Sequence, residues 1–207
     1  MLQLTTPGVY REAVFPTPLP ALLTGVPAFL GEAMMKQPDP PQPLTLYSQF
    51  EAYYDATGFL ARAVAGFFQN GGRRCFVVAL PDDGRAAWLA GLAAIESFDV
   101  DLVCAPDLVT APAERVRQIQ RDILDHCQQA GDRFAILDAR LESQIADMHQ
   151  QAAELATLGF NGALYVPWLK IPDERDPGKT LAIPPCGHVA GTYARSDAAG
   201  GGGPIAR

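Results

Sequence analysis

Residues 67–80 read FFQNGGRRCFVVAL, and the order of the parts decides how the chain is built. A helix-like stretch comes first, then Gly71, Gly72, Arg73 and Arg74, then a strand-like run from Cys75 to Leu80. A glycine loop that cradles phosphate runs the other way, from a strand into a helix, so that the unpaired N–H groups of the helix N-terminus aim at the anion. Here the glycines follow the helix, where the free groups are carbonyls and the dipole end is negative. The pair therefore reads as a helix C-terminus and a turn back into a sheet, with the arginines complementing the helix end.

Working outward, the same alternation repeats. Val26–Ala33 (VPAFLGEA) reads as a first core strand, and Pro27 argues for a strand start or an edge. Helical periodicity appears at Leu60, Val64 and Phe67 before the strand Cys75–Leu80, and at Trp88, Leu92 and Ile95 before Val100–Ala105. It returns at Val116, Ile119, Ile123 and Cys127 before Phe134–Leu137, and at Ile145, Met148, Ala152 and Leu155 before Ala163–Val166. Runs such as CFVVAL and FAIL lack polar alternation, as strands buried on both faces do. The expected fold is α/β: an open, mostly parallel sheet flanked by helices.

Helix ends carry their own marks. Thr110 is expected to cap a helix with Pro112 in its first turn and Glu114 near the positive dipole end, while Gly131 and Gly159 follow the last turns of their helices. Gln37–Pro43 (QPDPPQP) reads as an exposed loop, and PDERDPGK after Ile171 as a charged, turn-rich one. The stretch AIPPCGHVAGTYARSDAA is helical after its prolines.

With 207 residues the chain suits one globular domain with extensions. A net charge of −7 gives no general attraction to phosphate backbones or anionic membranes, so nucleic acid is not an expected partner. The apolar stretch Ala21–Met35 is broken by Gly25, Pro27, Gly31 and Glu32, and no signal peptide or membrane insertion is expected. Cys75, Cys104, Cys127 and Cys186 are widely separated, which suits reduced thiols and synthesis in the cytoplasm.

Candidate chemistry is thin. Open α/β sheets place reactive groups at the C-terminal ends of strands, which points to Asp138 and to Cys104–Asp107. A cysteine nucleophile needs an imidazole base, and His126 and His149 read as solvated helix positions. Cys186 and His188 could offer two metal ligands, but no second pair stands near, so no metal is expected. Gly200–Gly203 lacks the strand and helix of a dinucleotide fingerprint, so no cofactor is expected either. Asp82-Asp83, Asp99 and Asp101 read as solvated turns.

The N-terminal segment is more informative. Val9–Phe15 is β-capable but fenced by Pro7-Gly8 and by Pro16, Pro18 and Pro20, too short to bury itself. Its backbone groups can be satisfied at a sheet edge, its own or a neighbour's.

Taken together, several segments resemble one family, the tail sheath proteins of contractile phage tails and related contractile injection systems. They are Thr5–Val14, Val26–Ala33, Phe67–Val78, Phe134–Ala139, Ala163–Ile171 (ALYVPWLKI) and Pro184–Gly201 (PPCGHVAGTYARSDAAGG), in the family's order. The resemblance implies a non-enzymatic subunit that surrounds an inner tube, stacks into a helical homo-oligomer and drives the tube outward by collective rearrangement. It implies other sheath subunits, the inner tube protein and baseplate or cap proteins as partners, in a phage tail or phage tail-like particle. It further implies that an arm of Thr6, Pro7, Gly8, Val9, Tyr10, Arg11, Glu12, Ala13 and Val14 pairs with neighbouring subunits. The expected division is an extended arm over 1–20, a core domain over 21–199 and a Gly-rich tail over 200–207. Members of the family continue into a further domain where this chain ends at Arg207, so a truncated sheath or a short sheath-like adaptor is expected. A small α/β enzyme using Asp138 or Cys104 is the rival reading.

Overall fold

Parallel strands need crossovers, and the helix-strand alternation supplies them one after another. The structure, a computed structural model, describes residues 24–37, 40, 43–56, 58–141, 144–173, 176 and 178–199. The expected arm, the Gly-rich tail and parts of the 37–43 loop lie outside these residues. The strands are β1 (Pro27–Glu32), β2 (Met34–Met35), β3 (Tyr54–Asp55), β4 (Phe76–Leu80), β5 (Leu102–Cys104), β6 (Phe134–Asp138), β7 (Gly162–Tyr165), β8 (Leu169–Pro172) and β9 (Thr180–Ile183). The α-helices are α1 (Tyr47–Tyr53), α2 (Phe59–Gln69), α3 (Arg85–Ala94), α4 (Ala113–Ala130), α5 (Ile145–Ala156) and α6 (Cys186–Ala199).

Five strands form an all-parallel sheet in the order β4-β1-β5-β6-β7, the expected α/β architecture. The chain leaves β1 for β4 on one side and then crosses to β5 on the other, so the winding direction reverses at β1. Side chains alternate between two apolar layers. Ala28, Leu30, Val103, Ala135 and Leu137 pack with Trp88, Leu92, Ile119, Ile123 and Leu155 of α3, α4 and α5. Phe29, Val77, Leu102 and Ile136 pack with Phe50, Leu60, Phe67 and Ala190 of α1, α2 and α6. Pro27 opens β1, an inner strand, so its missing N–H falls at the strand start as expected.

The helices begin and end largely as read. Gly71 at φ 101° and Gly131 at φ 76° take the left-handed conformations that end α2 and α4. One reading is corrected. Pro112, not Thr110, is the residue before α4; the Thr110 hydroxyl instead donates to the Asp107 carbonyl at 2.8 Å and closes a 3₁₀ turn over Pro106–Thr110. The described residues of PDERDPGK after Pro172 are a loop as read, and β8 and β9 on either side of it pair as an antiparallel hairpin.

Helices α2 and α6 touch backbone to backbone. A Cβ at Gly187 would lie 2.2 Å from the Ala63 carbonyl oxygen, and one at Gly66 would lie 2.4 Å from the His188 ring. Small residues at these positions are what let the two helices share one face of the sheet.

Candidate functional site

Ligands of doubly wound sheets bind outside the carboxyl ends of the strands, at the point where the winding reverses. In this chain that point lies past Glu32 of β1 and past Cys104 of β5. A cleft of about 620 Å³ opens there, with Glu32, Asp55, Arg62, Leu80, Asp107 and Asp173 in its wall.

The innermost position of the cleft is occupied by the protein itself. Past β5, Pro106 starts a 3₁₀ turn that swings the Asp107 carboxylate onto the start of α2. Asp107 Oδ1 accepts the Leu60 N–H at 3.1 Å and Oδ2 accepts the Glu32 N–H at 3.1 Å, and the Phe59 N–H donates as well. Gly31 and Gly58 make room, since a Cβ would stand 2.5 Å from Oδ2 at the first and 2.7 Å from Oδ1 at the second. Burial raises the Asp107 pKa and Glu32 adds to the rise, against the three N–H bonds that lower it.

Asp138, the leading catalytic candidate of the sequence, has a similar duty. It is 3% exposed at the end of β6, and its Oδ1 accepts the Cys186 N–H at 3.0 Å in the first turn of α6. Its own carbonyl receives Gln120 Nε2 at 3.0 Å, and Gln120 in turn receives Gln151 Nε2 at 2.7 Å, which links β6, α4 and α5. Burial pushes the Asp138 carboxyl up to about 7, with the bonds from Cys186 pulling the other way. The cavity that reaches Asp138 measures about 10 Å³, far below substrate size.

Helices α2 and α6 thus share a device. Neither Gly58 before α2 nor Pro185 before α6 brings a side-chain oxygen to the exposed N–H groups, so a carboxylate from the end of a neighbouring strand does. The sequence signal for this is an acid directly after a buried strand together with a helix that lacks its own capping residue.

Two of the other candidates meet Asp138 in the core: the Cys186 thiol interacts with the Cys104 thiol and with the Asp138 carboxyl. Cys104 and Cys186 are fully buried, and all four cysteines are free. His149 is exposed, as expected. His126 is not a solvated position: it is half-buried, and its Nε2 accepts from Arg133 Nη1 at 3.0 Å. Burial first and the Arg133 charge second depress the His126 pKa, which keeps the ring neutral and able to accept. His188 lies against Gly66 on the α2–α6 contact. Asp101 is also more than a turn residue, since its Oδ2 accepts the Val26 N–H at 2.9 Å and fixes the start of β1. Among the described residues, no group of three or more His, Cys, Asp or Glu side chains is placed to hold a metal. No helix among them is long and apolar enough to cross a membrane. Residues 6–14 of the expected arm lie outside the described structure.

The sheet also has an open flank. Strand β7 pairs with β6 and with no other strand among the described residues. Beside it, α5 forms where the periodicity placed it, yet of its apolar stripe only Leu155 is buried. Ile145 is 74% exposed and Phe160, just before β7, is 93% exposed.

No family model and no curated protein matches the sequence. Solved structures do match the fold. A chain of the anti-feeding prophage helical sheath in its contracted state, seen by cryo-electron microscopy, superposes with a TM-score of 0.65 at 20% identity, over 95% of this chain and 54% of its own. A chain of the anti-feeding prophage baseplate in its contracted state superposes with a TM-score of 0.66 at 23% identity, over 96% of this chain and 56% of its own. The resemblance to tail sheath proteins read from the sequence is therefore met by the fold, and this chain spans about half the length of either match.

Proposed function

We propose that this tail sheath-like chain is a structural subunit of a contractile tail sheath, one that surrounds an inner tube and contracts by collective rearrangement of its copies. The observation that carries the reading is the likeness to the sheath chain, which extends over 95% of this one. The strand-end acids support it: the carboxylates that an enzyme would turn toward substrate are used to start α2 and α6. In this reading Thr6 to Val14 donate a strand to neighbouring subunits, since main-chain pairing on a proline-rich tether survives sliding of interfaces. Driving free energy comes from differences in burial and charge pairing between two packings, summed over many copies.

The test is deletion of residues 1–15. The shortened chain is expected to stay folded by circular dichroism and to lose lateral assembly in negatively stained preparations. Sheath built by the deleted form in a complementation assay overturns the role of the arm.

A second reading, a sheath-like adaptor at the baseplate that does not polymerise, is favoured by the equally good match to the baseplate chain. Its mark is stoichiometric capture of one partner with no filaments.

A further inference from the structure

We propose that Asn161 is a site of spontaneous modification in the folded chain, losing its side-chain amide as ammonia through a cyclic imide with the Gly162 nitrogen. The inference goes beyond the structural role above and stands without it.

Two asparagines stand in the chain, Asn70 and Asn161, and a glycine follows each. With no Cβ on the next residue, the backbone nitrogen has an open approach to the asparagine side chain. That nitrogen attacks Cγ: an N–Cγ bond forms, the nitrogen gives its proton to solvent base, and the Cγ–Nδ2 bond breaks as the amide nitrogen takes up a proton and leaves as ammonia. Water then opens the imide, at Cγ to give aspartate or at the main-chain carbonyl to give isoaspartate, and nothing is oxidised or reduced.

The fold treats the two asparagines differently. Asn70 ends α2 at ψ 12°, with its N–H on the Gly66 and Phe67 carbonyls, its Nδ2 on the Gly66 carbonyl at 2.8 Å, and the Gly71 N–H on the Phe68 carbonyl at 3.3 Å. Helix α6 packs over it, since a Cβ at Gly191 would lie 2.8 Å from the Asn70 Cβ. Turning Asn70 toward its glycine requires α2 and α6 to open together.

Asn161 lies half-buried in the bend before β7, where Ala135 donates to its carbonyl at 2.8 Å and its Nδ2 donates to the Cys127 carbonyl at 3.2 Å. Ala135 is the register partner of Gly162 yet bonds the residue before it, so the Gly162 N–H points away from β6, to the side where β7 has no strand partner among the described residues. The nitrogen that must react is outside the ladder, and a strand at the edge opens locally at less cost than the core does. Core packing also keeps the glycine in place: a Cβ at Gly162 would lie 2.5 Å from Leu124 Cδ2 and 2.9 Å from Ala135 Cβ. The product sets a carboxylate beside the Cys127 carbonyl near the C-terminal end of α4, the negative end of the helix dipole, and isoaspartate adds a backbone carbon at the start of β7.

The test follows both asparagines in one sample. The full chain is aged in mildly alkaline buffer made with heavy-oxygen water, then digested with trypsin in ordinary water, so that only modification during ageing carries the label. Arg62 and Arg73 bracket Asn70, and Arg140 and Lys170 bracket Asn161, which puts them on separate peptides. Mass spectrometry is expected to find labelled deamidation at Asn161 several-fold faster than at Asn70 in the folded chain, with isoaspartate confirmed by enzymatic methylation. In urea the two rates are expected to converge. Asn161→Gln is expected to abolish the fast component. The proposal is overturned if Asn161 reacts in urea but not in the folded chain, or if Asn70 keeps pace with it when folded.

Discussion

Asp138 Oδ1 accepts the Cys186 N–H at 3.0 Å, so the last residue of β6 fixes the first turn of α6 across the end of the sheet. The bond orients a helix, yet the carboxylate that makes it is 3% exposed and is more costly to ionise there than in water.

That cost gives a pH prediction. The Asp138 carboxyl is raised from an ordinary 3.8 to about 7, chiefly by burial, so the folded chain holds this proton more tightly than the unfolded chain. A raised carboxyl contributes stability at low pH that is lost as pH rises from the unfolded value through the folded one. Between about pH 4 and pH 7 the Asp138 contribution is therefore expected to decline, opposite to an ordinary ion-paired acid. Asp138→Asn keeps an acceptor for the Cys186 N–H and removes the charge, so it is expected to flatten that slope and to be the more stable form at pH 8. Urea denaturation of both forms across pH checks it, and parallel slopes would refute it.

Helix α6 lies on α2 at a distance set by glycine. Adding one methyl at Gly187 brings a Cβ to 2.2 Å from the Ala63 carbonyl oxygen, a backbone atom that cannot rotate away. Gly187→Ala is expected to cost about 1–3 kcal/mol as the helices separate. Gly131→Ala is the control, because nothing lies within 4 Å and only the φ of 76° opposes it, a penalty of about 1–2 kcal/mol. The difference lies in the repair: Gly131→Asn is expected to recover part of the loss, as asparagine tolerates that conformation, whereas Gly187→Asn is expected to be worse than Gly187→Ala. Denaturant midpoints of the four variants decide it.

Arg133 is 7% exposed and donates to the carbonyls of Glu96 at 3.3 Å and Phe98 at 3.2 Å, which closes the turn between α3 and β5. Arg133→Met leaves both carbonyls without that donor and is expected to cost about 1–3 kcal/mol. The His126 pKa is expected to rise in the variant, since one of the two causes that depress it is gone, and to stay below an exposed histidine's because burial, the larger cause, remains. Titration of the His126 ring protons by NMR reads this directly.

The parallel sheet was legible because its strands are apolar without alternation and its helices show a stripe, and those signals are local. The C-terminal edge was less legible. Asp138 and Asp107 stood out as acids after buried strands, but what they do depends on α6 and α2 starting beneath them, 48 and 47 residues away in sequence. Reading an acid as reactive or as a cap needs that distance resolved. The solvated reading of His126 failed over a much shorter span, since its partner Arg133 stands seven residues on, in the turn between α4 and β6. The charged stretch after Ile171 hid a hairpin because its strands are only four residues each, short enough for turn residues to dominate the pattern.

Burial of the α5 stripe is where local pattern and tertiary structure part, and it yields the last prediction. Ile145 and Phe160 are apolar, yet 74% and 93% exposed beside β7, the strand whose outer edge takes no partner among the described residues. Each exposed apolar group contributes little to folding, so Ile145→Ser with Phe160→Ser is expected to change stability by less than about 0.5 kcal/mol per site. Phe29→Ala, at 0% exposure in the core, is expected to cost about 3–5 kcal/mol. A parallel edge flanked by apolar side chains is the kind of surface that proteins cover by pairing with another chain. If the proposed assembly uses this flank, the double variant folds as wild type but forms fewer or shorter particles, measured by sedimentation and negative staining. Assembly at wild-type efficiency would remove the flank from the interface, while loss of folding would show that the two side chains are packed in the isolated subunit after all.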